Sequence, residues 1–109
     1  MKPNAFQRYK YSGDYYQFVI DEVGDTINIE YFYSGVIYLQ ADLDDNQRMT
    51  FKTDEPLPIG SLVANIKDAN GDLILDDMVW RVETLSPVFN PFNSIENYRS
   101  RASKYQGEL

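Results

Sequence analysis

Four pairs of adjacent carboxylates, Asp21-Glu22, Asp44-Asp45, Asp54-Glu55 and Asp76-Asp77, are the groups in this sequence best equipped for acid–base chemistry. Glycoside hydrolysis asks for two carboxyl groups ~5–9 Å apart across a cleft. Neighbouring residues on a strand point to opposite faces, so on extended segments no such pair shares a site. The stretch "DANGD", residues 68–72, sets acidic and amide side chains at alternate positions, like the opening of a calcium loop. An EF-hand loop wants glycine sixth and glutamate twelfth. Here glycine stands fourth and the twelfth residue is Val79, so the segment reads as a turn. The chain has no histidine and no cysteine. Ser-His-Asp catalysis, thiol chemistry and the usual zinc sites are thereby excluded. The expectation is a protein without catalytic residues, metal or cofactor, and not an enzyme.

The elements that carry these residues read as strands. "DTINIEYFY", residues 25–33, alternates Ile27, Ile29, Tyr31 and Tyr33 against Asn28, Glu30 and Phe32. That period of two marks a half-buried strand. "DYYQFVIDEV" (14–23) precedes it across Gly24-Asp25, a tight hairpin signal, and Ser34-Gly35 reads as the next turn. "VIYLQADL" (36–43), "RMTFKT" (48–53), "SLVANIK" (61–67), "DLILDD" (72–77) and "MVWRVETL" (78–85) complete the set. Asn70-Gly71 suits a type I′ hairpin, whose central positions both need positive φ. Between residues 53 and 61, Pro56-Leu57-Pro58-Ile59-Gly60 forms a stiff corner. The prolines end one strand by removing donors, and glycine permits the turn into the next. Such an order predicts an all-β chain, a small antiparallel barrel or sandwich of about seven strands. Its core is expected from Ile27, Ile29, Tyr31, Ile37, Leu39, Phe51, Val63, Ile66, Leu73, Leu75, Trp80 and Val82.

The C-terminal stretch differs. Pro87 and Pro91 predict irregular chain over 86–93. Asn93 and Glu96 have capping-box spacing, and Ile95, Tyr98, Ala102 and Tyr105 recur at helical intervals. Residues 1–92 are therefore expected as the β domain with a basic N-terminal arm, and 93–109 as a C-terminal arm or short helix.

At 109 residues one domain is expected. The 15% of aromatic residues, nine of them Tyr, favours pleated structure. No apolar run approaches the ~20 residues of a membrane helix, and the N-terminus lacks an apolar signal region. The expected setting is intracellular and soluble, with no membrane partner. The net charge of −7 is unevenly placed: residues 14–78 hold 14 acids against Arg48, Lys52 and Lys67, while both ends are mildly basic. An acidic body repels nucleic acid or imitates it. The basic, aromatic ends supply candidate subunit or partner contacts, Arg8, Tyr9, Tyr98, Arg99, Arg101, Lys104 and Tyr105.

The order of these pieces resembles the head-closure, or stopper, proteins that join head to tail in tailed phages. The residues that carry the resemblance lie within 6–88: the Asp-x-x-Gly-Asp turn at 21–25, "YLQADL" ending on a strand with Ala41, "RMTFKTD" leading into "PLPIGSLV", the Asn-Gly turn, and "MVWRVETLSP". It stops short of the tail "NPFNSIENYRSRASKY". What it implies is a virion structural protein, a homo-oligomeric ring in the neck that contacts portal, adaptor and tail proteins. Such a ring closes the head channel after packaging, and DNA passes it without specific binding. The loop "DLDDNQ", with Asp42, Asp44 and Asp45, is the candidate channel loop. Two alternatives stand beside this reading: a small acidic phage inhibitor that mimics nucleic acid, of anti-CRISPR or anti-restriction type, and another tail or baseplate adaptor.

Overall fold

The computed structural model describes residues 9–44, 48–74 and 78–107. Among them there is no helix. Six strands form one antiparallel sheet: β1 (Tyr11–Val23), β2 (Thr26–Leu43), β3 (Met49–Thr53), β4 (Leu62–Lys67), β5 (Val79–Phe89) and β6 (Ile95–Tyr105). The sheet closes on itself in the order β1-β2-β3-β6-β5-β4, with β4 paired back to β1. The expected all-β antiparallel fold is therefore present, with fewer and longer strands.

Three differences have physical reasons. Segments 25–33 and 36–43 are one strand, β2, because Ser34-Gly35 is a bulge and not a turn. Tyr15 pairs with Gly35 and Tyr16 with Tyr33, which leaves Ser34 as the extra residue. Gly35 takes φ 119, a conformation that glycine reaches without strain. The described part of segment 72–77 forms no named strand and contributes the isolated bridge from Leu73 to Lys67 and a bond from Ile74 N to Ile66 O, with residues 75–77, including the expected core residue Leu75, outside the described residues. The turn before it is not type I′, because Gly71 has positive φ and Asn70 does not.

The expected helix or arm over 93–109 is instead strand β6, enclosed between β3 and β5. Its true period is two. Ser100 and Ala102 are buried, while Arg99 and Arg101 are exposed. Small inward residues suit the space left by Trp80, Phe51 and Met49, so the strand carries little apolar signal of its own. Asn93, read as a helix cap, has φ 66 and sits in the β5–β6 turn. There the Asn90 Oδ1 accepts from the backbone N–H of Phe92 at 2.9 Å and of Ser94 at 3.1 Å. Strand β5 runs through Pro87 because β4 pairs with it only at Val79–Arg81. Beyond Val82, whose backbone bonds Gly60 and Ser61, the second edge of β5 pairs with no strand, and proline is tolerated on such an edge.

The interior holds Leu39, Met49, Phe51, Leu57, Val63, Ile66, Trp80, Val82 and Ala102, with Ile37 packed against them. Full burial of side chains of this size contributes about 1.5–3 kcal/mol each. Three expected core residues lie elsewhere: Ile27 is 64% exposed, Ile29 is 55% exposed, and Leu73 is exposed. Tyr31 is half-buried outside the interior. For Ile27, Ile29 and Tyr31 the cause is the bulge. One extra residue transfers every side chain on one side of it to the other face. Ile37, Leu39 and Ala41 point inward, so the odd-numbered residues before Ser34 point outward.

Candidate functional site

The described surface offers no clustered set of three metal-ligating side chains. What it offers is a projecting ribbon and a basic strip. β1 pairs with β4 only as far as Tyr16, and β2 meets β3 only from Gln40 onward. Beyond these points Gln17–Val23 and Thr26–Phe32 pair only with each other. A lone two-stranded ribbon is marginal in water, and this one is rooted on the body.

One face of the ribbon carries the opposed pairs Tyr16/Tyr33, Phe18/Tyr31, Ile20/Ile29 and Glu22/Ile27. Its inner half is an aromatic ladder. The Tyr16 and Tyr33 rings are edge-on at 5.6 Å, Phe18 and Tyr31 lie 6.3 Å apart, and Tyr31 meets Tyr105 of β6 at 5.6 Å. Such contacts add ~0.5–1.5 kcal/mol per pair beyond burial. The contact with Tyr105 holds the ribbon's root against the body, where Phe18, Ile29 and Tyr31 line a small hollow with Ile59, Gly60 and Arg81. Leu62, on the outer row between Tyr16 and Arg81, is 0% exposed although it lies outside the interior cluster. Burial and the neighbouring Tyr105 raise the phenol of Tyr31 above its ordinary value, and Arg81 works against that rise.

The proline corner is the seat of the ribbon. Leu57 enters the core between the two prolines. Ser61 donates from N and Oγ to the Pro58 carbonyl, at 3.1 and 2.6 Å. Gly60 N donates to Val82 O at 2.8 Å, and Val82 N to Ser61 O at 2.9 Å. Gly60 has φ 98, and a Cβ there would stand 2.9 Å from Cε1 of Phe18. The corner is therefore stiff where the ribbon's root leans on it.

The other ribbon face turns away from the body. It carries Gln17/Phe32, Val19/Glu30, Asp21/Asn28 and Val23/Thr26. Val19, Val23 and Phe32 are exposed there. Contiguous exposed apolar side chains are a feature of contact surfaces.

No family model matches this chain, and no curated protein or solved structure is significantly similar to it.

The sequence-derived candidates fall into separate places. Arg99 and Arg101 lie together on the outer face, in register with Lys52 and Thr50 of β3 and with Ser86 and Thr84 of β5. The Thr84 hydroxyl accepts from Arg101 N at 3.0 Å. These residues, apart from Lys52, line a shallow depression of about 310 Å³ with Ser100. Asp42 joins the same row through Thr50. Asp44 and Arg48 close the β2–β3 loop: Asp44 N donates to Arg48 O, and Arg48 N to Asp44 Oδ1, both at 2.9 Å. Asp45 and Arg8 lie outside the described residues. Tyr9 is no free arm, being 5% exposed and donating to Asp54 Oδ1 at 3.0 Å. Tyr98 is half-buried, Lys104 is exposed, and Tyr105 packs on Tyr31. The calcium-like stretch is an Asx-type turn, with Asp68 Oδ1 accepting from Asn70 N at 2.9 Å and Asp72 N at 3.1 Å. The ribbon as a surface was missed by sequence reading. The signal that could have found it is the run 14–47, which carries eight acids and no base yet is rich in Ile, Val, Phe and Tyr.

Proposed function

We propose that this chain is a structural subunit that assembles with copies of itself and with neighbouring proteins, using the β1–β2 ribbon as its contact element. The form of assembly favoured by the head-closure resemblance is a ring in the neck of a tailed phage, between the portal or adaptor and the tail. The single observation that carries the reading is the ribbon. It extends a small closed sheet by an acidic, apolar arm with open edges, and that surface is costly to leave in water unless it is covered. A stiff corner at its root fits a subunit that must present its arm at one angle.

In such a ring the exposed carboxylates of Asp42 and Asp44 are suited to water or to a DNA channel, since burying charge in an interface costs desolvation. An acidic lumen repels the phosphate backbone and lets DNA slide. The test is mass and place. Light scattering gives the copy number in solution, and cryo-EM of virions gives the position. A chain that stays monomeric with every tested neck and tail protein, and is missing from the neck, refutes the reading.

A further inference from the structure

We infer that the contact between copies is heterologous: the ribbon face of one copy that bears Val19, Asp21, Glu30 and Phe32 docks on the basic β3–β6–β5 strip of the next. This rests on the reading that copies of the chain assemble. The root of the Phe18/Tyr31 face is turned to its own body through Phe18, Tyr31 and Tyr105, while Ile20, Ile27 and Ile29 nearer its tip are exposed. The opposite face has no such cover even at its root, and it bears Val19, Val23 and Phe32 together with Asp21 and Glu30. No Lys or Arg occurs between Lys10 and Arg48, so nothing on the ribbon offsets its charge. The strip is the converse, with Lys52, Arg99 and Arg101 among the hydroxyls of Thr50, Thr84 and Ser86 and with Asp42 at its β2 border.

The spacings agree as well as the signs. Asp21 stands opposite Asn28, so Glu30 is its diagonal neighbour, about 7–8 Å away. Arg99 and Arg101 are two residues apart on one strand, about 6.6 Å. Two carboxylates can meet two guanidiniums at once, and the Arg stems can cover Val19 and Phe32. Both surfaces belong to one chain but to different elements. Each contact therefore leaves the strip of one copy and the ribbon of the other unused, and it propagates until a ring closes.

The test is a charge exchange. Wild-type chain should self-associate in sedimentation at low salt and weaken as salt rises. Asp21→Lys/Glu30→Lys and Arg99→Glu/Arg101→Glu should each weaken association about tenfold or more, with circular dichroism unchanged because all four residues are exposed. Mixing the two variants should restore it, since each then offers the charge that the other lacks. Loss in both variants without rescue on mixing overturns the inference, and association left intact in Arg99→Glu/Arg101→Glu overturns it in favour of a ribbon-to-ribbon contact. Retention of duplex DNA that is lost only in Arg99→Glu/Arg101→Glu, with association unchanged, overturns it in favour of a nucleic-acid surface. A wild-type chain that stays monomeric also overturns it. A neck location in virions would then still uphold the assembly reading, whereas absence from the neck would sink both.

Discussion

Replacing Gly60 by alanine probes how the corner holds the ribbon. The residue sits at φ 98, outside the ordinary range of L-residues. Holding a side chain there costs about 1–3 kcal/mol. Alanine returns about 0.4–1 kcal/mol by reducing the freedom of the unfolded chain. The new methyl would also stand 2.9 and 3.1 Å from the Phe18 ring. That ring can shift, but only by loosening its contact with Tyr31 at 6.3 Å. The terms sum to a loss of roughly 2 kcal/mol. In a chain of 109 residues, that lowers the thermal midpoint by about 8–10 °C. Unfolding followed by circular dichroism gives the number. Repeating the change in a Phe18→Ala background separates the two causes: the overlap vanishes and the backbone strain remains, so the second penalty should be smaller by a few tenths of a kcal/mol. Hydrogen exchange should show faster opening of the ribbon amides near Phe18 and Tyr31. A midpoint within about 2 °C of wild type would refute the reasoning, because the corner would then not be fixed by Val82 and Phe18.

The other predictions concern strained or shifted groups. Asn65 has φ 52 within β4, and its Nδ2 donates to Asp14 at 2.8 Å; Asn65→Ala should cost about 1–2 kcal/mol in denaturant unfolding and Asn65→Gly clearly less. Tyr31 should titrate above its ordinary value of 10.0 when phenolate absorbance is followed. A raised folded value means that stability from this phenol is intact below the ordinary value and is lost as pH rises through the folded one. Tyr105→Phe should lessen the rise and Arg81→Gln should increase it. Deleting Ser34 should remove the bulge and turn Tyr31 to the opposite face, so its titration should return toward the ordinary tyrosine value.

Much of the fold was legible because alternation is a local signal. The inward residues Leu39, Phe51, Val63, Trp80 and Val82 follow it directly. Legibility failed where one residue changed the count. Ser34 joined two apparent strands and turned Ile27, Ile29 and Tyr31 outward, and nothing in "YSGV" distinguishes a bulge from a turn. It failed again in β6, where Ser100 and Ala102 face the core and their small size hides the alternation that Arg99 and Arg101 display. Of the candidate site, the basic pair was visible as residues but not as a strip. Only the register with Lys52, Thr84 and Ser86 assembles that surface. The ribbon depends on where β3 and β4 stop pairing, a long-range fact that no short window contains.

The most direct measurement is a cryo-EM map of the neck of the assembled virion. The account predicts several copies of this chain around the channel axis, each ribbon lying against the next copy. A neck map without the chain, or one in which every ribbon stands in solvent touching neither a copy nor a neighbouring protein, would contradict it.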